Sequence, residues 1–204
     1  MNDLDRALSD IHTIRRQVAR STEFRGYGPA TLAGTAMLAV AAASAQMLWV
    51  PSPADHIGAY LGIWIATAVL SAGLIGAEMF ARTRRIHSGL ADEMIRMAVE
   101  QFLPAAGVGA LLTITLVKFV PGSAWLLPGL WQVIYALGIL SSCRFLPRLM
   151  VLAGAWYLLT GLTTIALADS RALAPQAMGI PFAIGQMLIA GVLMLTHREG
   201  NDGL

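Results

Sequence analysis

The 14 Lys and Arg and the 12 Asp and Glu of this 204-residue chain fall in clusters, and the intervals between them limit what it can fold into. Uncharged stretches run between Arg25 and Asp55, Asp55 and Glu78, Glu100 and Lys118, Lys118 and Arg144, Arg148 and Asp169, and Arg171 and Arg198. Each is close to or above the roughly 20 residues that a helix needs to cross a hydrocarbon layer about 30 Å thick. Helices suit that layer because they satisfy their own backbone polar groups. The expected fold is therefore an all-α integral membrane protein with six transmembrane helices, at about residues 29–50, 57–80, 100–119, 124–143, 148–168 and 176–196. Composition agrees: 56% of residues are hydrophobic and 13% charged, against roughly a quarter charged in a soluble domain.

Six spans leave little chain for anything else. Residues 1–25 are expected to form a cytosolic amphipathic helix, 26–198 one membrane domain and 199–204 a short cytosolic tail. No room remains for a separate catalytic domain. One cysteine, Cys143, excludes an internal disulfide and a four-thiolate zinc site. The pI near 9.0 does not point to nucleic acid as a direct partner, because the formal net charge is only +2 and the basic residues sit beside span ends.

Those basic residues set the orientation, since cytoplasmic loops are rich in Lys and Arg. Arg6, Arg15, Arg16, Arg20 and Arg25 precede the first span; Arg82, Arg84, Arg85 and Arg96 follow the second; Arg144 and Arg148 follow the fourth; Arg198 follows the sixth. The opposite side holds only Lys118 and Arg171. Both termini are thus expected in the cytoplasm of a bacterial inner membrane. Asp3, Asp5, Asp10 and Glu23, with no apolar run, make residues 1–25 unlike a signal peptide, so cleavage is not expected.

Short motifs recur along the spans. Ala33-Gly34, Ala106-Gly107 and Ala153-Gly154 open three apolar runs, and Gly62-Ile63-Trp64, Gly129-Leu130-Trp131 and Gly179-Ile180-Pro181 open the runs that follow. Breakers separate the two arms: Pro51 and Pro53, then Pro121, Gly122 and Pro128, then Pro175. Two readings stay open, three tandem helical hairpins or chance recurrence of common membrane residues. Ala39 with Ala43, Gly73 with Ala77 and Gly107 with Gly109 are expected at helix–helix contacts. Trp49, Trp125 and Tyr60 are expected at the outer interface, and Trp64, Trp131 and Trp156 deeper.

Two segments outside the spans are amphipathic. In residues 2–20, Leu4, Leu8, Ile11, Ile14 and Val18 form one helical stripe, with Asp3 and Asp5 at its start and Arg15, Arg16 and Arg20 at its end, as the helix dipole favours. A second, cytosolic helix between spans 2 and 3 is expected after Ser88, with Leu90, Met94, Met97 and Ala98 on one side. Both either lie on the lipid surface, pack on each other or dock a partner.

Chemistry is harder to find. His12, His56, His87 and His197 lie outside the spans or at their edges, and no two share a helix face at metal-ligand spacing. No zinc helix motif, phosphate loop or serine elbow is present, so no catalytic residue, metal ligand or cofactor is expected. Glu78, the one acid near a span interior, is expected to pair with Arg82, and Lys118 to snorkel outward. The remaining polar groups are Gln46, Gln132 and Gln186, one in each hairpin, with Tyr135 and several threonines. They either bond between helices or converge on a neutral or lipophilic ligand.

Ile14-Arg15, Arg20-Ser21-Thr22, Phe24, Gly34, Arg82-Thr83-Arg84-Arg85, Leu127-Pro128-Gly129-Leu130-Trp131, Tyr135, Gly138, Arg144 and Pro147 together give most of the chain a resemblance. It resembles an uncharacterised family of bacterial six-span inner-membrane proteins often encoded beside a winged-helix regulator. A departure is Ser141-Ser142-Cys143, where that likeness implies a glycine-containing turn. The hairpin style also resembles the acid-resistance membrane proteins built from hairpin repeats. The expected function is that of a non-enzymatic protein whose cytosolic face, built from residues 2–25 and 84–100, binds a partner, and the family resemblance implies a cytosolic regulator as that partner. Leu8 and Ile11 would supply the apolar part of the docking face, and Arg15, Arg16, Arg20, Ser21 and Thr22 its basic and hydrogen-bonding part. The rival expectation is a small transporter or binding bundle using Gln46, Gln132, Gln186 and Tyr135.

Overall fold

A computed structural model describes residues 28–85, 90–143, 147 and 149–201, with side chains placed over 28–81, 100, 103–143, 147 and 149–195. Among the described residues there are helices and no strands. In chain order they are α1 (Pro29–Trp49), α2 (Ile57–Arg85), α3 (Leu90–Phe119), a 3-10 turn (Pro121–Leu126), α4 (Leu127–Ser142), α5 (Met150–Ala166), a second 3-10 turn (Ser170–Leu173) and α6 (Pro175–Asn201). Four stretches are long and apolar enough to cross a membrane: Pro29–Trp49, Ile57–Ala81, Pro121–Ser142 and Pro175–Leu195. Leu103–Phe119 and Met150–Ala166 are apolar but shorter. Large apolar side chains are exposed on all six helices, among them Met47, Val69, Leu111, Leu137, Leu159 and Met194, a surface suited to lipid and not to water. The protein is a membrane-embedded helical bundle.

Local chemistry explains most boundaries. Pro29 and Pro175 open α1 and α6, and Pro128 stands in the first turn of α4, where a missing N–H costs nothing. Prolines that punctuate the sequence thus start helices as well as end them. The α4 terminus needs no glycine. The Ser141 and Ser142 hydroxyls both donate to the Gly138 carbonyl, at 2.9 and 2.7 Å, and the Cys143 thiol lies 3.3 Å from the Ile139 carbonyl, so side chains cover the last carbonyls. The separate cytosolic helix expected before span 3 is not separate. Leu90–Phe119 is one continuous helix that carries Pro104 within it. The side chains at 90–99 lie outside the described set, as does Ser88.

The helices do not pack evenly. The neighbours α1 and α2, α3 and α4, and α5 and α6 touch to a similar, modest extent, whereas α6 packs extensively on α1 and α4 on α5. Among the described residues the matching pair, α2 and α3, barely meets. Glycine sets the two tight seams. A Cβ on Gly129 would stand 2.7 Å from the Gly161 carbonyl oxygen, and one on Gly161 2.9 Å from the Gly129 oxygen, so α4 and α5 touch backbone to backbone. A Cβ on Gly179 would stand 2.6 Å from the Ala43 Cβ at the α6–α1 seam. Ala39 and Ala43 therefore lie at a helix contact, as expected. Gly73, Gly107 and Gly109 do not: nothing lies within 4 Å of a Cβ built on any of them. The expectation that they form contacts therefore fails among the described residues.

Tyr60 also departs from expectation. It is fully buried beside Trp64 among Ala42, Leu173 and Met178, while Trp49 is 76% exposed in keeping with an interfacial place. The turn Ser170–Leu173 folds inward over this cluster, burying Ala172 and Leu173, after a left-handed Ala168 at φ 55° reverses the chain.

Candidate functional site

Gln46, Gln132 and Gln186 are all buried, and they do not meet at one centre. Gln46 on α1 is satisfied at both ends. Its Nε2 donates to the Leu173 carbonyl at 2.7 Å, and its Oε1 accepts from Trp64 Nε1 at 2.7 Å. One amide so joins α1, α2 and the inturned segment before α6. Gln132 on α4 donates from Nε2 to the Ala177 carbonyl at 2.9 Å. The reason lies four residues further along α6. Pro181 has no N–H, so the Ala177 carbonyl lacks its helical donor, and Gln132 takes that place.

These two amides hold the start of α6 from opposite neighbours. Gln186 lies nine residues beyond Ala177, roughly 13 Å along a helix, and has a different partner. Its Nε2 donates to Tyr135 Oη at 2.9 Å. Tyr135, Tyr157 and Phe182, from α4, α5 and α6, form a three-ring cluster with centroids 4.8, 5.6 and 5.2 Å apart. Tyr135 and Tyr157 meet edge to face at 72°, a favourable arrangement of ring quadrupoles. The Tyr157 phenol lies flat against Gly185, where any Cβ would overlap the ring. Rings in such contact leave no gap for a further molecule between them.

Three of the four polar residues of the transport reading therefore have identified interhelical bonds to protein carbonyls, an indole or a phenol, and the fourth, Tyr135, accepts one of them. Tyr60 Oη, Tyr157 Oη, Gln132 Oε1 and Gln186 Oε1 are buried without a hydrogen-bond partner among the described residues. No group of three His, Cys, Asp or Glu side chains able to hold a metal occurs among the described residues.

The residues expected to dock a partner, Leu8, Ile11, Arg15, Arg16, Arg20, Ser21 and Thr22, lie outside the described residues, as do His12 and His87. One bond nevertheless bears on that face. Gly28, the extended residue just before α1, donates its N–H to Glu78 Oε2 on α2 at 2.9 Å. A carboxylate beside a helix N-terminus is favourable through the backbone dipoles. The sequence reading missed this role for Glu78. The Arg82 side chain with which it was paired there lies outside the described set.

The tryptophans follow a pattern. Trp64 donates to Gln46, and Trp131 donates to Thr113 at 3.0 Å, in each case to a residue eighteen positions earlier on the preceding helix. In the last pair of helices Pro181 stands where the tryptophan would be, and Trp156 donates to its carbonyl at 3.0 Å. No family model matches the chain, and neither a curated protein nor a solved structure matches it.

Proposed function

We propose that this is a non-enzymatic, six-span protein of the bacterial inner membrane whose cytosolic face docks a soluble partner. A transcriptional regulator is the class of partner that the family resemblance implies. In this reading the spans form three hairpins, both termini face the cytoplasm, and α3 and α5 cross at the lower end of the usual length range, roughly 17 residues.

The observation that carries the reading is the bond from the Gly28 N–H to the Glu78 carboxylate. It holds the start of α1 against the far end of α2. Gly28, where the described chain begins, thus lies beside the turn of α2 that leads on to Arg82, Arg84 and Arg85. Two amphipathic or basic segments rooted together can act as one surface. The commitment of Gln46 and Gln132 to structural bonds supports the same choice over transport, because it gives both amides a role in packing.

The test is co-purification of the intact membrane protein with cytosolic proteins, repeated after deletion of residues 1–20 and after Glu78→Ala. A specific partner should be lost on deletion and weakened by Glu78→Ala, with the bundle still folded. A partner set unchanged by the deletion would overturn the reading.

A further inference from the structure

Two of the buried oxygens without a partner among the described residues, Tyr60 Oη and Gln132 Oε1, are associated with the same side chain. Tyr60 on α2 and Met178 on α6 belong to one buried cluster, and the Gln132 amide on α4 reaches Met178 as well, with Nε2 3.9 Å from its sulfur. Trp131, the residue before Gln132, packs against that cluster too. Tyr60 stands three residues into α2 and Gln132 five into α4, roughly 5 and 8 Å from the helix starts. The inturned Ser170–Leu173 segment covers this end of the cluster, pinned by the bond from Gln46 to the Leu173 carbonyl.

We infer that Tyr60 Oη and Gln132 Oε1 together hold one water molecule beside Met178. The two groups are complementary, yet neither bonds the other. The orientation of the amide is fixed, because Nε2 must face the Ala177 carbonyl, so Oε1 is left to accept. The phenol has a proton to donate and is fully buried, as is Gln132. A water molecule accepts from the first and donates to the second, the two polar partners that a buried water requires at minimum. An ion does not suit the place, since a neutral phenol and an amide oxygen bring no charge to offset its burial. Without a bridge both oxygens would cost folding free energy that phenylalanine and methionine, filling similar volumes, would not. The inference is independent of any cytosolic partner.

The experiment uses the full chain in lipid nanodiscs, with isotope-labelled tyrosine and glutamine side chains. In solid-state NMR, magnetisation from water should reach Tyr60 Cζ and Gln132 Cδ, signals assigned by their loss in Tyr60→Phe and Gln132→Met. Tyr60→Phe should also lower the folding equilibrium constant about five- to tenfold, read by reversible denaturation, because the ring beside Trp64 is kept and only the bridge is lost. In the Gln132→Met background the same substitution should have no effect or a favourable one, since the second anchor of the water is gone. An unbridged hydroxyl behaves in the opposite way, with Tyr60→Phe raising stability in both backgrounds. That result overturns the inference. So does a failure of water magnetisation to reach either side chain, or strict additivity of the two substitutions.

Discussion

Helices α1, α4, α5 and α6 form a core, while α2 and α3 are hung on its side. In the core, glycines bring backbones into contact, buried amides bridge helices, and Tyr135, Tyr157 and Phe182 interlock. On the flank, Thr113, held by Trp131, is the one buried polar residue among the described side chains of α3, and α2 is joined to α1 through Tyr60, Trp64 and the Gln46 bond. Both regions have similar composition, rich in Ala, Gly and Leu. The difference shows that apolar character makes a span, whereas glycine placement opposite another backbone makes a core.

This contrast can be broken at four points. Gln46→Leu should have the largest effect, because it leaves the Trp64 N–H and the Leu173 carbonyl both unpaired in the interior. A loss of roughly 2–4 kcal/mol is expected, read by reversible denaturation in mixed micelles, and a loss near zero would show that the flank is not held through this amide. Gly161→Ala comes next, at about 1–3 kcal/mol from overpacking, since the added methyl meets the Gly129 backbone oxygen, which cannot turn aside as a side chain would.

Gln132→Leu should cost about 1–3 kcal/mol by leaving the Ala177 carbonyl unsatisfied. The cost should shrink when Pro181→Ala is added, because alanine restores the helical N–H to that carbonyl. Strict additivity of the two substitutions would show that Gln132 does not compensate for the proline. The smallest change is expected on the flank. Gly107→Ala should alter the stability of the monomer by less than about 0.5 kcal/mol, because its Cβ position is open, and a thermal melt comparable to that of Gly161→Ala would erase the distinction between the regions.

Several features were legible in the sequence because their causes are local. Hydrophobic runs between charges placed α1 to within a residue of its observed end, and located α4, α5 and α6 closely. Helix starts at proline follow from the missing N–H alone. The division between the cytosolic helix and span 3 was not legible, because a change from amphipathic to apolar side chains does not interrupt backbone hydrogen bonds, and α3 runs through it. The role of Glu78 in holding Gly28, fifty residues away, was not legible either, because it depends on α1 and α2 lying side by side. Gln132 could have been understood from Pro181 only by knowing that α4 lies beside α6.

The sequence by itself determined that this chain is helical and apolar enough for a membrane, because hydropathy acts through the surrounding solvent and needs no partner. Only the tertiary structure decided which glycines are contacts and which are bare, and which carbonyl each glutamine serves. Those outcomes depend on what stands opposite a residue. Gly161 and Gly107 are the same residue in similar apolar runs, and the Gly129 oxygen, Gln132 and Val133 across the seam leave a side chain no room at one of them.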